Sequence, residues 1–134
     1  MLRPSTAQED TVTAIRIKWP TGELLARLDD TPAARAVVAA LPAKSRANTW
    51  GEEVYFSLAA DVKLERDARE VVDPGAVCYW VQGASLALPY GPTPVSHGAE
   101  CRLVTRVNVL GRLDGDPRKL ATVRDGDAIE VSLA

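Results

Sequence analysis

The sequence predicts a mainly β domain carrying one short helix, on three observations. Apolar and polar residues alternate along run after short run, glycine recurs between those runs, and only one stretch repeats with helical period. Thr13, Ile15, Ile17 and Trp19 point one way and Ala14, Arg16 and Lys18 the other, which is a first strand. Pro20-Thr21-Gly22 is a turn, and Leu24, Ala26 and Leu28 then alternate with Leu25 and Arg27 to close a hairpin.

Asp29-Asp30-Thr31-Pro32 reads as a helix start, with Thr31 able to cap free amides and Pro32 suited to the first helical position. Ala34, Val37, Val38 and Leu41 follow at helical spacing and Pro42 ends the stripe, so a helix is expected over about 32–41. Strand alternation resumes at Val54, Phe56 and Leu58, at Val77, Tyr79 and Val81, and at Leu86, Leu88 and Tyr90. It continues at Leu103, Thr105, Val107 and Val109, and ends at Ile129, Val131 and Leu133. Gly75, Gly83, Gly91, Gly111 and Gly126 punctuate these runs, as turns or bulges of positive φ require. Asp116-Pro117 starts a helical turn over about 117–121. Many short strands with one true helix indicate a barrel or sandwich.

The chain is 134 residues long, with 46% hydrophobic and 25% charged residues. Length of this order gives one domain that buries roughly two-thirds of its unfolded surface, enough for a core without staples. Residues 1–10 are polar and without period, an expected flexible tail, and 11–134 form the domain. A net charge of −2 leaves no basic surplus for a duplex-binding footprint, so no nucleic-acid partner is expected. No run approaches the roughly 18 apolar residues of a membrane helix, and the N-terminus shows no signal-peptide core. Cys78 and Cys101, 23 positions apart, read as reduced thiols of a cytoplasmic protein.

Reaction motifs are scarce. His97 is the single histidine and lies in a Pro-Thr-Pro-Val-Ser-His-Gly segment that reads as an exposed loop. Neither a metal-ligand spacing nor a phosphate-binding glycine loop occurs, so no metal and no cofactor are expected.

Two segments stand out because aromatic residues make up only 5% of the chain. Asn48-Thr49-Trp50-Gly51-Glu52-Glu53-Val54-Tyr55-Phe56 holds two carboxylates and three rings. In strand phase Val54 and Phe56 take the core, leaving Glu53, Tyr55 and Ser57 opposite. Glu52, beside Gly51, is placed to turn its carboxylate toward a cleft, against the plainer reading of a solvated acidic hairpin tip. The second segment runs from Val77 through Trp80 and Tyr90 to the stiff Gly91-Pro92-Thr93-Pro94, which suits either a recognition groove or barrel closure.

These residues carry a resemblance. Asn-Thr-Trp-Gly-Glu-Glu-Val-Tyr-Phe at 48–56, Arg-Glu-Val-Val at 69–72 and Cys-Tyr-Trp at 78–80 resemble the small prokaryotic cyclophilin-like proteins. Tyr-Gly-Pro-Thr-Pro-Val-Ser at 90–96 and Val-Asn-Val-Leu-Gly at 107–111 extend the likeness along most of the chain. The resemblance implies a closed eight-stranded cyclophilin-like barrel with a helix over one open end. It also implies a pocket lined by Thr49, Trp50, Glu52, Tyr55, Pro92, Thr93 and Ser96, to which Tyr90 is added as a ring beside the 90–96 loop.

Prolyl isomerases of the cyclophilin type use an arginine beside a Phe, Met and Leu pocket, and their signatures are absent here. Arg46 is the nearest candidate arginine and lies outside the family motif. The segment Cys101-Arg102-Leu103-Val104-Thr105-Arg106 also departs from the small residues usual in relatives. The expectation is therefore a barrel that binds a small molecule or peptide near the 48–55 hairpin and the 90–96 loop. The alternatives are an atypical peptidyl-prolyl isomerase and a protein-interaction module, acting as a homodimer or with a partner subunit.

Overall fold

The computed structural model describes residues 12–134; the expected tail at 1–10 lies outside them. Ten strands appear in the order β1 (Thr13–Trp19), β2 (Gly22–Leu28), β3 (Ala43–Arg46), β4 (Asn48–Thr49), β5 (Glu53–Ser57), β6 (Arg69–Val72), β7 (Ala76–Trp80), β8 (Ser85–Pro89), β9 (Cys101–Asp114) and β10 (Ala128–Leu133). Among the described residues one α-helix, α1 (Pro32–Ala39), follows β2, and a 3-10 turn over Pro117–Thr122 precedes β10. Both begin as expected. The Thr31 hydroxyl oxygen accepts from the Ala34 N–H at 3.1 Å, and the Asp116 carboxylate accepts from the Arg118 N–H at 3.0 Å. Among the described residues no helix is long and apolar enough to cross a membrane.

The strand count and the closure differ from the expectation of a closed eight-stranded barrel. The sheet runs β3-β10-β1-β2-β9-β7-β8-β5-β4, with β6 paired to β9 off this path, and every pair is antiparallel. Its hydrogen-bonded ladder is open, and its two ends, β3 and β4, are separated in the chain by Ala47 alone. Ala47 donates its N–H to the Asp127 carbonyl and accepts from the Gly126 N–H, both at 2.8 Å. The 124–127 turn thus takes up the polar groups of Ala47, and the chain bends there from one neighbour, β10, to another, β5. Covalent continuity, rather than a ladder, links the two ends of the sheet.

The inward face follows the alternation read from the sequence: Ile15, Ile17, Leu24, Ala26, Leu28, Val54, Phe56, Val77, Tyr79, Leu86 and Leu88 pack with Val37 of α1 into the main core. Tyr79 is the largest fully buried side chain, and its hydroxyl donates to the Leu58 carbonyl at 2.8 Å, as a buried phenol requires.

A second apolar layer lies on the outer face. Val72, Ala76, Cys78, Ala87, Cys101, Leu103 and Val107 cluster there, with Tyr55, Trp80 and Val109 against them. It exists because β9 serves two sheets. Residues 111–114 pair with β2 and 108–112 with β7, whereas 101–107 pair with β6. At Leu110 one extra residue stands opposite the β7 step from Val77 to Cys78, a bulge that moves Leu110 into the main core while Val107 stays in the outer layer. The β6–β9 ribbon therefore covers β7 and β8, whose residues are buried on both faces.

Of the punctuating glycines, Gly75 and Gly126 have positive φ, while Gly83, Gly91 and Gly111 do not. Those three are needed for close approach instead: a Cβ on Gly111 would lie 1.9 Å from the Arg27 carbonyl oxygen.

Candidate functional site

The β4–β5 hairpin is a two-residue turn, Gly51-Glu52, closed by the Trp50 N–H donating to the Glu53 carbonyl at 3.0 Å. Gly51 has φ +61°, which suits a glycine at the first turn position of such a hairpin. Asn48 pairs with Tyr55 and Thr49 with Val54, so the next pair outward is Trp50 with Glu53. Cross-strand partners share a face, and Trp50, Glu53 and Tyr55 thus stand together on the outer side of the sheet. On that same face β8 contributes Ala87, opposite Tyr55 on one side and Cys78 of β7 on the other. Ala87 carries only a methyl group. Over it the rings of Tyr55 and Trp80 meet edge to face, with centroids 6.1 Å apart and planes at 84°.

A cavity of about 250 Å³ opens between this face and the β6–β9 ribbon. Trp50, Glu53 and Tyr55 line it from the hairpin and β5, Trp80 from β7, and Leu103, Val104 and Val107 from β9. Val104 is 53% exposed, which places it at the rim. Glu53 is only 6% exposed and lines the cavity, and its carboxyl makes no hydrogen bond or ion pair among the described residues. Burial alone pushes it up to about 7. The Trp80 indole N–H is buried without a partner, whereas the Glu53 carboxyl keeps access to the cavity. A carboxyl held near neutrality in an apolar enclosure can pair with a cation, hydrogen-bond a donor, or hold and release a proton.

The residues singled out in the sequence lie close together, but most face away from this cavity. Trp50 and Tyr55 line it. Glu52 turns to the surface and pairs through both oxygens with Arg118 at 3.1 and 3.3 Å, hydrogen bonds that hold its carboxyl below the usual range. Arg118 lies over the Tyr90 ring, 5.6 Å from its centroid. Thr49 donates both its N–H and its hydroxyl to Asp125, at 2.6 and 2.9 Å, and so ties the hairpin to the turn before β10.

The 90–96 loop braces the hairpin from behind. The Glu52 N–H donates to the Pro92 carbonyl at 2.9 Å and the Tyr90 N–H to the Glu52 carbonyl at 2.8 Å. The Ser96 hydroxyl oxygen accepts from the N–H groups of Thr93 and Arg102 at 2.9 and 3.1 Å, and the Thr93 hydroxyl donates to the Arg102 carbonyl. A Cβ on Gly91 would sit 1.8 Å from Oε1 of Glu52, so glycine there leaves the carboxylate its place. His97 is exposed, with Nδ1 3.9 Å from Glu100. Arg46 donates to the Gly126 carbonyl at 3.1 Å. Cys78 and Cys101 are buried free thiols, both pushed up by burial, Cys101 to about 11. Among the described residues no group of three or more His, Cys, Asp or Glu side chains is placed to hold a metal ion.

Sequence reading marked Trp80 as a groove candidate but passed over Glu53, Leu103, Val104 and Val107 as cavity residues. The signal for them is the composition of β7 and β8, Ala-Val-Cys-Tyr-Trp and Ser-Leu-Ala-Leu-Pro, apolar on both alternating faces. Such strands are covered on both sides, and whatever shares their outer face is covered too.

The family model described as Cyclophilin-like matches residues 13–132, almost all of the described chain. The chain belongs to the cyclophilin-like family. A solved structure similar in shape is the solution structure of a hypothetical protein from Archaeoglobus fulgidus. It is 35% identical, superposes with a TM-score of 0.79, and the match covers 92% of this chain and 96% of that one. No curated protein matches this cyclophilin-like chain.

Proposed function

We propose that this protein is a binding protein whose ligand, a small molecule or a peptide side chain, enters the cavity between the β5–β8–β7 face and the β6–β9 ribbon. The observation that supports this most is Glu53, a carboxyl buried against apolar walls with no partner from the described residues. Taking an acid out of bulk water in this way is costly, and the carboxyl is left open only toward the cavity. A ligand that supplies a donor or a charge offsets the cost on binding. The rings of Trp50, Tyr55 and Trp80 provide flat apolar contact, and the open rim at Val104 provides entry.

The isomerase alternative needs an arginine at the groove to draw on the proline nitrogen. Arg46, its nearest candidate, instead gives its guanidinium to the Gly126 carbonyl.

Ligand-observed NMR against a fragment and dipeptide collection tests the binding reading. Hits should broaden on wild-type protein and be lost on Val104→Trp, which fills the rim without entering the main core. Amide shifts should map to residues 50–55, 80 and 103–107. Hits that survive Val104→Trp and shift residues elsewhere overturn the reading.

A further inference from the structure

Three of the seven aromatic residues of the chain, Trp50, Tyr55 and Trp80, line one cavity together with one acidic group and no basic one among its lining residues. We infer that the cavity selects an organic cation, specifically an alkylated ammonium group held between these three rings and the Glu53 carboxylate. The inference rests on the cavity being a binding site and names the class of ligand it takes.

Aromatic faces carry negative quadrupole potential, and a cation near such a face is attracted most strongly once water is excluded. Leu103, Val104 and Val107 make the opposite wall apolar, so it offers water no hydrogen-bonding partner. An anionic ligand meets repulsion from both Glu53 and the rings. A neutral apolar ligand fills the space but leaves the carboxyl unpaired. A primary ammonium presents three N–H donors that need acceptors and is strongly hydrated. The cavity offers one carboxylate and π faces. An ammonium whose hydrogens are replaced by methyl groups loses little hydration and spreads its charge over the surface that the rings contact.

Neighbouring charges do not satisfy Glu53 in the ligand's place. Arg118 is held by Glu52, and Arg102, next to Leu103 on β9, is held by Glu70 at 3.0 Å and Glu100 at 2.6 Å. Arg69 on β6 makes no ion pair with Glu53 among the described residues. The thiols of Cys78 and Cys101 in the adjoining layer remain protonated through neutral pH. With Glu53 free to ionise only near 7, the cation-competent form is a minority near pH 6 and the majority near pH 8. Cation affinity therefore rises about tenfold over that interval.

The probe is choline, compared with its uncharged carbon isostere 3,3-dimethylbutan-1-ol, titrated by isothermal calorimetry and tryptophan fluorescence near pH 6 and pH 8. Choline should bind at least about tenfold tighter than the isostere near pH 8, and about tenfold tighter there than near pH 6. Glu53→Gln should abolish both the preference and its pH dependence while the isostere still binds. The two-probe comparison on wild-type protein stands by itself should that variant fold poorly. Equal binding of both probes overturns the cation assignment and leaves the cavity as a site for neutral ligands. Silence of both overturns the assignment as well, and fragment hits that map to the cavity, or fail to, then decide the binding reading separately.

Discussion

Trp50 and Glu53 face one another across the Gly51-Glu52 turn, joined by a 3.0 Å bond from the Trp50 N–H to the Glu53 carbonyl. This single pairing carries a carboxyl over the edge of the core and under the β6–β9 ribbon, while its sequence neighbour Glu52 goes to solvent and Arg118. Two adjacent glutamates thereby acquire opposite properties, one held below the usual carboxylate range by an arginine, the other raised to about 7 by burial.

Stability should fall as pH rises, in a window set by Glu53. Below about 4.5 the carboxyl is protonated in both the folded and the unfolded chain and contributes no difference. Between 4.5 and about 7 the unfolded chain releases its proton while the folded chain keeps it, so each step upward in pH favours unfolding. Above 7 the loss is complete, at about 3 kcal/mol as an upper figure. Urea midpoints near pH 5 and pH 8 for wild type and Glu53→Gln check this. The difference between the two proteins should change by that order across the window. A constant difference would contradict a buried, unpaired acid.

The Ser96 hydroxyl is the hub of the 90–96 loop. Ser96→Ala leaves the N–H groups of Thr93 and Arg102 without an acceptor, and Thr93→Val leaves the Arg102 carbonyl without its donor. Each should cost about 1–2 kcal/mol in chemical denaturation. Because the two share partners, the double variant should lose less than the sum of the singles. Strict additivity would mean that the hydroxyls act apart.

How far the sequence foretold this arrangement depends on which face of a strand is asked about. Inward positions such as Ile15, Ile17, Val54, Phe56, Leu86 and Leu88 alternate cleanly and fall in the core as read. The starts at Thr31 and Asp116 are local signals, settled within three residues, and both caps form. β3, Ala-Lys-Ser-Arg, carries no apolar alternation because it is fixed by β10 and by the 124–127 turn, partners some 80 residues away. The cavity was hidden for a related reason. Glu53 lies on the face opposite Val54 and Phe56, which a single-layer sheet would expose to water. Only the bulge at Leu110, which lets β9 change partners and cover β7 and β8, turns that face into an interior.

Both thiols should be inert in the folded protein. Cys78 and Cys101 are 0% and 1% exposed, and burial raises both above the range in which thiolate forms at neutral pH. A colorimetric disulfide reagent such as DTNB should therefore find no fast-reacting thiol in native protein near pH 8 and two after unfolding in urea. A rapid single-thiol phase in the native state would show that the outer layer opens readily, since Cys78, Cys101, Leu103 and Val107 belong to one cluster.

Gly83 lies against the Trp80 ring that lines the cavity. A Cβ built there would stand 2.2 Å from Cε3 of Trp80, and its φ is not in the left-handed region, so the constraint is space rather than backbone conformation. Gly83→Ala must push the indole aside, and overpacking of this kind costs about 1–3 kcal/mol. Moving the indole also breaks its edge-to-face contact with Tyr55 and reshapes the wall beside Glu53. Three readouts should move together: a lower thermal midpoint, a weaker near-ultraviolet dichroism signal from Trp80, and weaker binding of any ligand that the proposed cavity test identifies. Gln82→Ala, an exposed neighbour in the same turn, should leave all three unchanged. An unperturbed near-ultraviolet spectrum for Gly83→Ala would mean that the turn yields instead of the ring, and that Trp80 is placed by the β6–β9 ribbon rather than by the glycine beneath it.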